Sequence, residues 1–167
     1  MLQVDLRALH GGPVETVADV APDDPLFADL ELGLRTSLSV RGRLMEAGPG
    51  TYFWKARLAT TVDVACRRCL ASVGLEIEAD VEALFTTESS NEDAAVYALE
   101  RGATECDVRP AVREELLLAV PEYPVCREDC LGFCAKCGAN LNDGRCSCVP
   151  EPDPRWAALR ALQDRDG

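Results

Sequence analysis

Eight of the nine cysteines in this chain fall into close pairs: Cys66-x2-Cys69, Cys126-x3-Cys130, Cys134-x2-Cys137 and Cys146-x-Cys148. One tight turn can aim two thiolates at a single ion, and two such pairs complete a tetrahedral four-thiolate zinc site. Gly132, Gly138 and Gly144 supply sharp bends near the last two pairs. The spacing therefore predicts two zinc ions. The run from Cys134 to Cys148 is compact enough for Cys134, Cys137, Cys146 and Cys148 to close on one ion unaided. Cys126 and Cys130 are then the natural partners of Cys66 and Cys69, although the spacing also allows Cys66 and Cys69 to pair with Cys134 and Cys137. All-thiolate zinc normally has no open coordination position, which makes it structural. The competing chemistry is thiol redox at Cys66-x-x-Cys69, whose thiol pKa values Arg67 and Arg68 would lower. That pair lacks the strand-into-helix setting of a thioredoxin-like site.

Other chemistry finds little support. His10 is the only histidine and lies in a Gly-rich segment far from any cysteine, so no histidine-based triad is available. No Gly-rich phosphate loop or serine-centred nucleophile motif occurs. A zinc deaminase would need a His-x-Glu partner that is missing. Cys106, the unpaired cysteine, reads as a simple buried thiol. The expectation is a protein that is not an enzyme and has no small-molecule substrate.

The elements that must hold these turns can be read from periodicity. Residues 1–30 look irregular apart from a short strand that Val4 and Leu6 could begin, broken at Gly11-Gly12-Pro13 and again at Pro22-Asp-Asp-Pro25. From Leu34 to Phe85 apolar and polar residues alternate with period two, which predicts three antiparallel strands in a meander. The turn between the second and third strands carries Cys66 and Cys69. Glu88 to Asp93 read as an acidic surface loop, with a short helix around Ala94 to Leu99. A helix follows at about Arg109–Val120, capped by Asp107, with Val112, Leu116 and Val120 on one face. The Cys-rich segment 126–148 comes next. The tail 149–167 has Asp153 as a cap and Trp156, Leu159 and Leu162 as one apolar stripe, which predicts a short amphipathic helix. The predicted fold class is thus α+β: an antiparallel meander and packed helix over residues 31–125, a zinc-binding segment, and a C-terminal helix.

At 167 residues the chain can bury one real core. No apolar run approaches the roughly 18 residues of a membrane span, and the N-terminus lacks signal-peptide character. The expected setting is the cytoplasm, where clustered cysteines bind metal more readily than they form disulfides. A net charge of −12 argues against retention on nucleic acid by the overall field and suits a basic partner. Residues 35–68 are the exception, with seven Lys or Arg against two acids and Tyr52, Phe53 and Trp54 among them. Such a surface could bind single-stranded RNA. A hairpin through Cys66–Cys69 would, however, set Arg57 opposite Asp80 and Lys55 opposite Glu82, neutralising the basic strands through cross-strand pairs. Arg67 and Arg68 at the hairpin tip escape that argument and are the candidate contacts for an anionic partner.

Taken together, Cys66-Arg-Arg-Cys69-Leu70, Glu114 to Pro121, and Asp129-Cys130-Leu-Gly-Phe-Cys134-Ala-Lys-Cys137-Gly-Ala-Asn-Leu-Asn142 resemble the YceD family of bacteria and plastids. The resemblance extends over most of residues 30–162, including Asp153-Pro-Arg-Trp-Ala157. It implies a non-enzymatic factor needed for normal levels of the large ribosomal RNA, acting on that RNA or on a basic ribosomal protein. It also implies that the two cysteine quartets are separable, and it carries over no catalytic residue.

Overall fold

The computed structural model describes residues 2–30, 32–87, 96–149 and 155. The period-two region forms β4 (Leu38–Gly48), β5 (Thr51–Ala65) and β6 (Ser72–Thr86), an antiparallel meander. Before it come β1 (Gln3–Asp5), β2 (Val14–Val20) and β3 (Gly33–Leu34). After it come β7 (Val96–Ala98), β8 (Glu105–Asp107) and the helix α1 (Arg109–Ala119). The main sheet runs β2-β4-β5-β6-β7, and β3 pairs with β5 at its far end through Leu34 and Val62. Only the β6–β7 pairing is parallel among the described strands. β1 and β8 form a separate two-stranded ribbon.

One face of the meander is the core. Leu38, Val40 and Leu44 of β4, Trp54, Leu58 and Val62 of β5, and Val81 and Phe85 of β6 are all at most 1% exposed. Alternation leaves their neighbours in sequence on the solvent face. α1 packs on the core side through Ala111, Val112 and Leu116, the i, i+1 and i+5 positions that share one helical stripe. Pro110 suits its first turn, where an amide proton has no partner to lose. Asp107 Oδ1 accepts the Arg109 N–H at 3.0 Å. The helix ends at Val120, which adopts extended backbone just before Pro121. Gly42 answers to a close strand approach: a Cβ there would lie 2.4 Å from the Ala56 Cβ on the adjacent strand.

The hairpin register is the expected one, with Arg57 opposite Asp80 and Lys55 opposite Glu82. Lys55 does pair with Glu82, whereas Arg57 reaches diagonally to Glu78 at 2.6 Å. Arg41 pairs with Asp19 of β2 at 2.9 Å and Arg35 with Asp63. The basic stretch is thus flanked on both sides by acids.

Two expectations need correction. Residues 2–30 are more regular than expected: β1 lies where Val4 suggested a short strand, and a 3-10 turn over Leu6–Gly11 that ends near the exposed His10 and the edge strand β2 follow it. The inward positions of β2 are Val14, Thr16, Ala18 and Val20, and a threonine and an alanine blunt the apolar alternation that marks a strand. Of the stretch from Ala94 to Leu99, the described residues 96–99 hold β7 at Val96–Ala98 rather than helix. A β-branched and an aromatic residue favour that pairing, and Tyr97 stacks on Phe85 with ring centroids 5.1 Å apart. The predicted C-terminal helix, with Asp153, Trp156, Leu159 and Leu162, lies outside the described residues, as does the acidic loop Glu88 to Asp93. No helix among the described residues is long and apolar enough to cross a membrane.

Candidate metal centres

The two Cys-x-x-Cys turns share one backbone design. In the first, the Leu70 N–H donates to the Cys66 carbonyl at 2.9 Å and the Cys66 N–H to the Ala71 carbonyl at 2.8 Å. In the second, the Gly138 N–H donates to Cys134 at 2.9 Å and the Cys134 N–H to Ala139 at 2.8 Å. Each turn needs a left-handed residue directly after its second cysteine, Leu70 at φ 56° and Gly138 at φ 71°. The first turn closes the β5–β6 hairpin, so the sheet itself aims its two sulfurs.

These turns gather two quartets. Cys66, Cys69, Cys126 and Cys130 form one, and Cys134, Cys137, Cys146 and Cys148 the other, with all sulfurs of each set within 4.8 Å of one another. Of the two pairings the spacing allowed, the first is the one observed. A tetrahedral ion with metal–sulfur bonds of roughly 2.3 Å sets its ligands roughly 3.8 Å apart. Cys66 and Cys130 Sγ are 3.9 Å apart, and Cys69 and Cys126 Sγ 3.7 Å. Both distances far exceed a disulfide bond. The residues present therefore fit a tetrahedral metal ion.

Electrostatics prepare the sulfurs for that task. Burial opposes ionisation of Cys66, but backbone N–H groups of Arg68, Cys126 and Cys69 outweigh it and bring the thiol down to about 6. The Arg68 N–H lies 3.4 Å from that sulfur. N–H groups of Cys137 and Lys136 likewise bring Cys134 to about 6. Other thiols move the opposite way: hydrogen bonding to Cys130 pushes Cys126 up to about 12, that to Cys137 does the same for Cys148, and Cys69 and Cys146 are raised as well. Cys130 is lowered: burial works against it, and the Asn142 side chain and the Gly132 N–H overcome that. Cys106 belongs to neither set. It is fully buried opposite Val4, and burial pushes its thiol up to about 12, leaving it unreactive.

Arg67 and Arg68 remain exposed, but they staple the hairpin tip to the Cys-rich segment. The Arg67 N–H donates to the Pro124 carbonyl at 2.8 Å and its Nε to Glu122 at 3.0 Å. Arg68 Nη1 donates to the carbonyls of Glu128 at 3.0 Å and Cys130 at 2.9 Å. Gly132 lets the chain pass close by: at φ 69°, a Cβ there would meet the Arg68 carbonyl oxygen at 2.7 Å. Sequence reasoning missed Asn142, whose amide donates to Cys130 Sγ at 3.4 Å. The available signal was the cluster of polar side chains in Asn140-Leu-Asn142, directly after a cysteine turn.

The family described as "Large ribosomal RNA subunit accumulation protein YceD" matches residues 54–163. An uncharacterized protein of Mycobacterium tuberculosis (strain ATCC 25618 / H37Rv) is 32% identical over 97 residues, 56% of this chain and 47% of that protein. One from Mycobacterium leprae (strain TN) is 31% identical over 144 residues, 79% of this chain and 58% of its own length. An Arabidopsis thaliana protein named "Large ribosomal RNA subunit accumulation protein YCED homolog 1, chloroplastic" is 34% identical over 62 residues, covering 36% of this chain and 19% of that protein. The chain spans about half the length of the mycobacterial relatives it matches. No solved structure matches it.

Proposed function

Because the chain belongs to the YceD family, we propose that it is a non-enzymatic cytoplasmic factor that supports accumulation of the large ribosomal RNA, with two structural zinc ions. The family match carries the role. The two sulfur quartets carry the zinc: four thiols at tetrahedral spacing suit a closed zinc site, with the hairpin supplying one pair of ligands and the segment after α1 the other. Zinc bound there supplies folding free energy by tying the sheet to a segment that has little core of its own.

Charge favours a basic ribosomal protein over RNA as the direct partner. The chain carries −12, and Arg35, Arg41, Lys55 and Arg57 each have an acidic partner. Arg67 and Arg68 are engaged with backbone carbonyls. The test mixes the zinc-loaded protein with a purified basic large-subunit protein and, separately, with a large-subunit RNA fragment. The expected result is binding to the basic protein, unchanged by Arg67→Glu with Arg68→Glu. Binding to the RNA that falls steeply with salt and is lost in that double variant would overturn the protein reading in favour of RNA. A thiol-redox role is the alternative from a different class. It requires Cys66 and Cys69 to form a reversible disulfide with release of metal, and thiols that stay unreactive to mild oxidant would count against it.

A further inference from the structure

The two quartets are separate sets of ligands, yet a side chain from one loop reaches into the other site. Asn142 lies between the two cysteine pairs of the second quartet, in the loop from Gly138 to Arg145. Its amide uses its full capacity of two donors and two acceptors. Nδ2 donates to Cys130 Sγ at 3.4 Å and to Asn140 Oδ1 at 2.8 Å. Oδ1 accepts the Leu131 N–H at 2.9 Å and Arg127 Nη2 at 2.8 Å. Those donors fix the orientation of the amide, because rotating it would set an N–H against the Leu131 N–H and the oxygen against the sulfur. The surrounding backbone is laced to match. The Leu141 N–H donates to the Gly132 carbonyl at 2.8 Å, and Phe133 bridges Asn140.

We propose that Asn142 is a positioning residue for the first metal site, so that closing the second quartet tightens the first. The inference rests on the metal reading above. An N–H donated to a metal-bound sulfur stabilises its thiolate form and fixes its direction, and such outer contacts strongly affect metal affinity. The loop that presents Asn142 is pinned at both ends by the second quartet, at Cys137 and Cys146. When that quartet opens, the loop is free at one end and the Cys130 contact loses its support. Coupling therefore runs through a named hydrogen bond rather than through general stability of the fold.

The test uses the full chain loaded with cobalt(II), whose thiolate absorption reports each site, followed by chelator competition. The Cys66→Ser/Cys69→Ser variant identifies the absorption of the second site. Asn142→Asp keeps the acceptor for Leu131 and Arg127 but replaces the N–H donor to Cys130. We expect it to weaken the first site about ten- to a hundredfold and to leave the second unchanged. Cys134→Ser/Cys137→Ser should weaken the first site by a similar factor, and combining it with Asn142→Asp should add nothing further. First-site affinity unchanged in Asn142→Asp, or losses that multiply in the combination, would overturn the proposal. Should Asn142→Asp fail to fold, an unchanged first site in Cys134→Ser/Cys137→Ser would overturn it alone. A parent chain that takes up no metal would instead overturn the metal reading itself, before any variant is made.

Discussion

The indole Nε1–H of Trp54 donates to Thr16 Oγ1 across 2.9 Å, deep in the core where neither residue is more than 1% exposed. The bond joins the middle strand of the meander to the edge strand β2 and satisfies two polar groups that would otherwise be buried alone. Thr16→Val leaves the indole N–H unpaired and should cost about 1–3 kcal/mol. Thr16→Ser keeps the hydroxyl and should cost about 1 kcal/mol or less. Denaturant unfolding of the two variants checks the difference, and a Thr16→Val loss no larger than that of Thr16→Ser would mean that the hydrogen bond contributes no more than the methyl group does.

That same pair shows where the sequence was silent. The meander was legible because β4, β5 and β6 alternate over long runs, and the hairpin register followed from one turn and the charges on either side of it. β2 was not legible: its core positions include a threonine whose polarity is cancelled only by a tryptophan 38 residues away. The cysteine quartets were readable from spacing, because ligand pairs must share a turn. Asn142 was not, since its partner sulfur belongs to the other quartet and only the folded loop brings them together. The arginines at the tip read as free charges, and in the fold their guanidinium groups meet carbonyls.

Metal content provides a second prediction. The purified chain should hold two zinc ions, one per quartet. Cys66→Ser/Cys69→Ser should lose one ion and lower the melting temperature by about 10 °C or more, because that site ties the sheet to the segment after α1. Cys134→Ser/Cys137→Ser should lose one ion with a smaller drop. Elemental analysis and calorimetry measure both, and two ions retained in either variant would contradict the two-site assignment.

Leu70 pays a conformational cost that Gly138 avoids at the equivalent position of the second turn. It is the only non-glycine residue with positive φ among those described, and its side chain is 67% exposed. Leu70→Gly should therefore stabilise the protein by about 0.5–1 kcal/mol. A measured loss in thermal or denaturant unfolding would mean that the leucine side chain packs against something that outweighs the strain.

Acid should act on the start of α1. Partial burial raises the Asp107 carboxyl, but hydrogen bonds from the Arg109 side chain and amide outweigh it and hold the group below the usual range. A folded-state pKa below the unfolded value means the contribution is fully present above about pH 4 and is lost as pH falls through the lowered folded value. Arg109→Ala should shift the Asp107 titration upward in a carboxyl-detected NMR experiment. An unmoved midpoint would assign the lowering to the backbone amide alone.

A role in accumulation of the large ribosomal RNA, as proposed for this chain, must show in ribosomal RNA levels when the protein is lost. The most direct test is the ratio of large- to small-subunit ribosomal RNA in cells lacking the protein, with a sucrose-gradient ribosome profile alongside. The expected result is a selective deficit of large-subunit RNA and particles, restored by the parent chain and not by Cys66→Ser/Cys69→Ser. An unchanged ratio would contradict it.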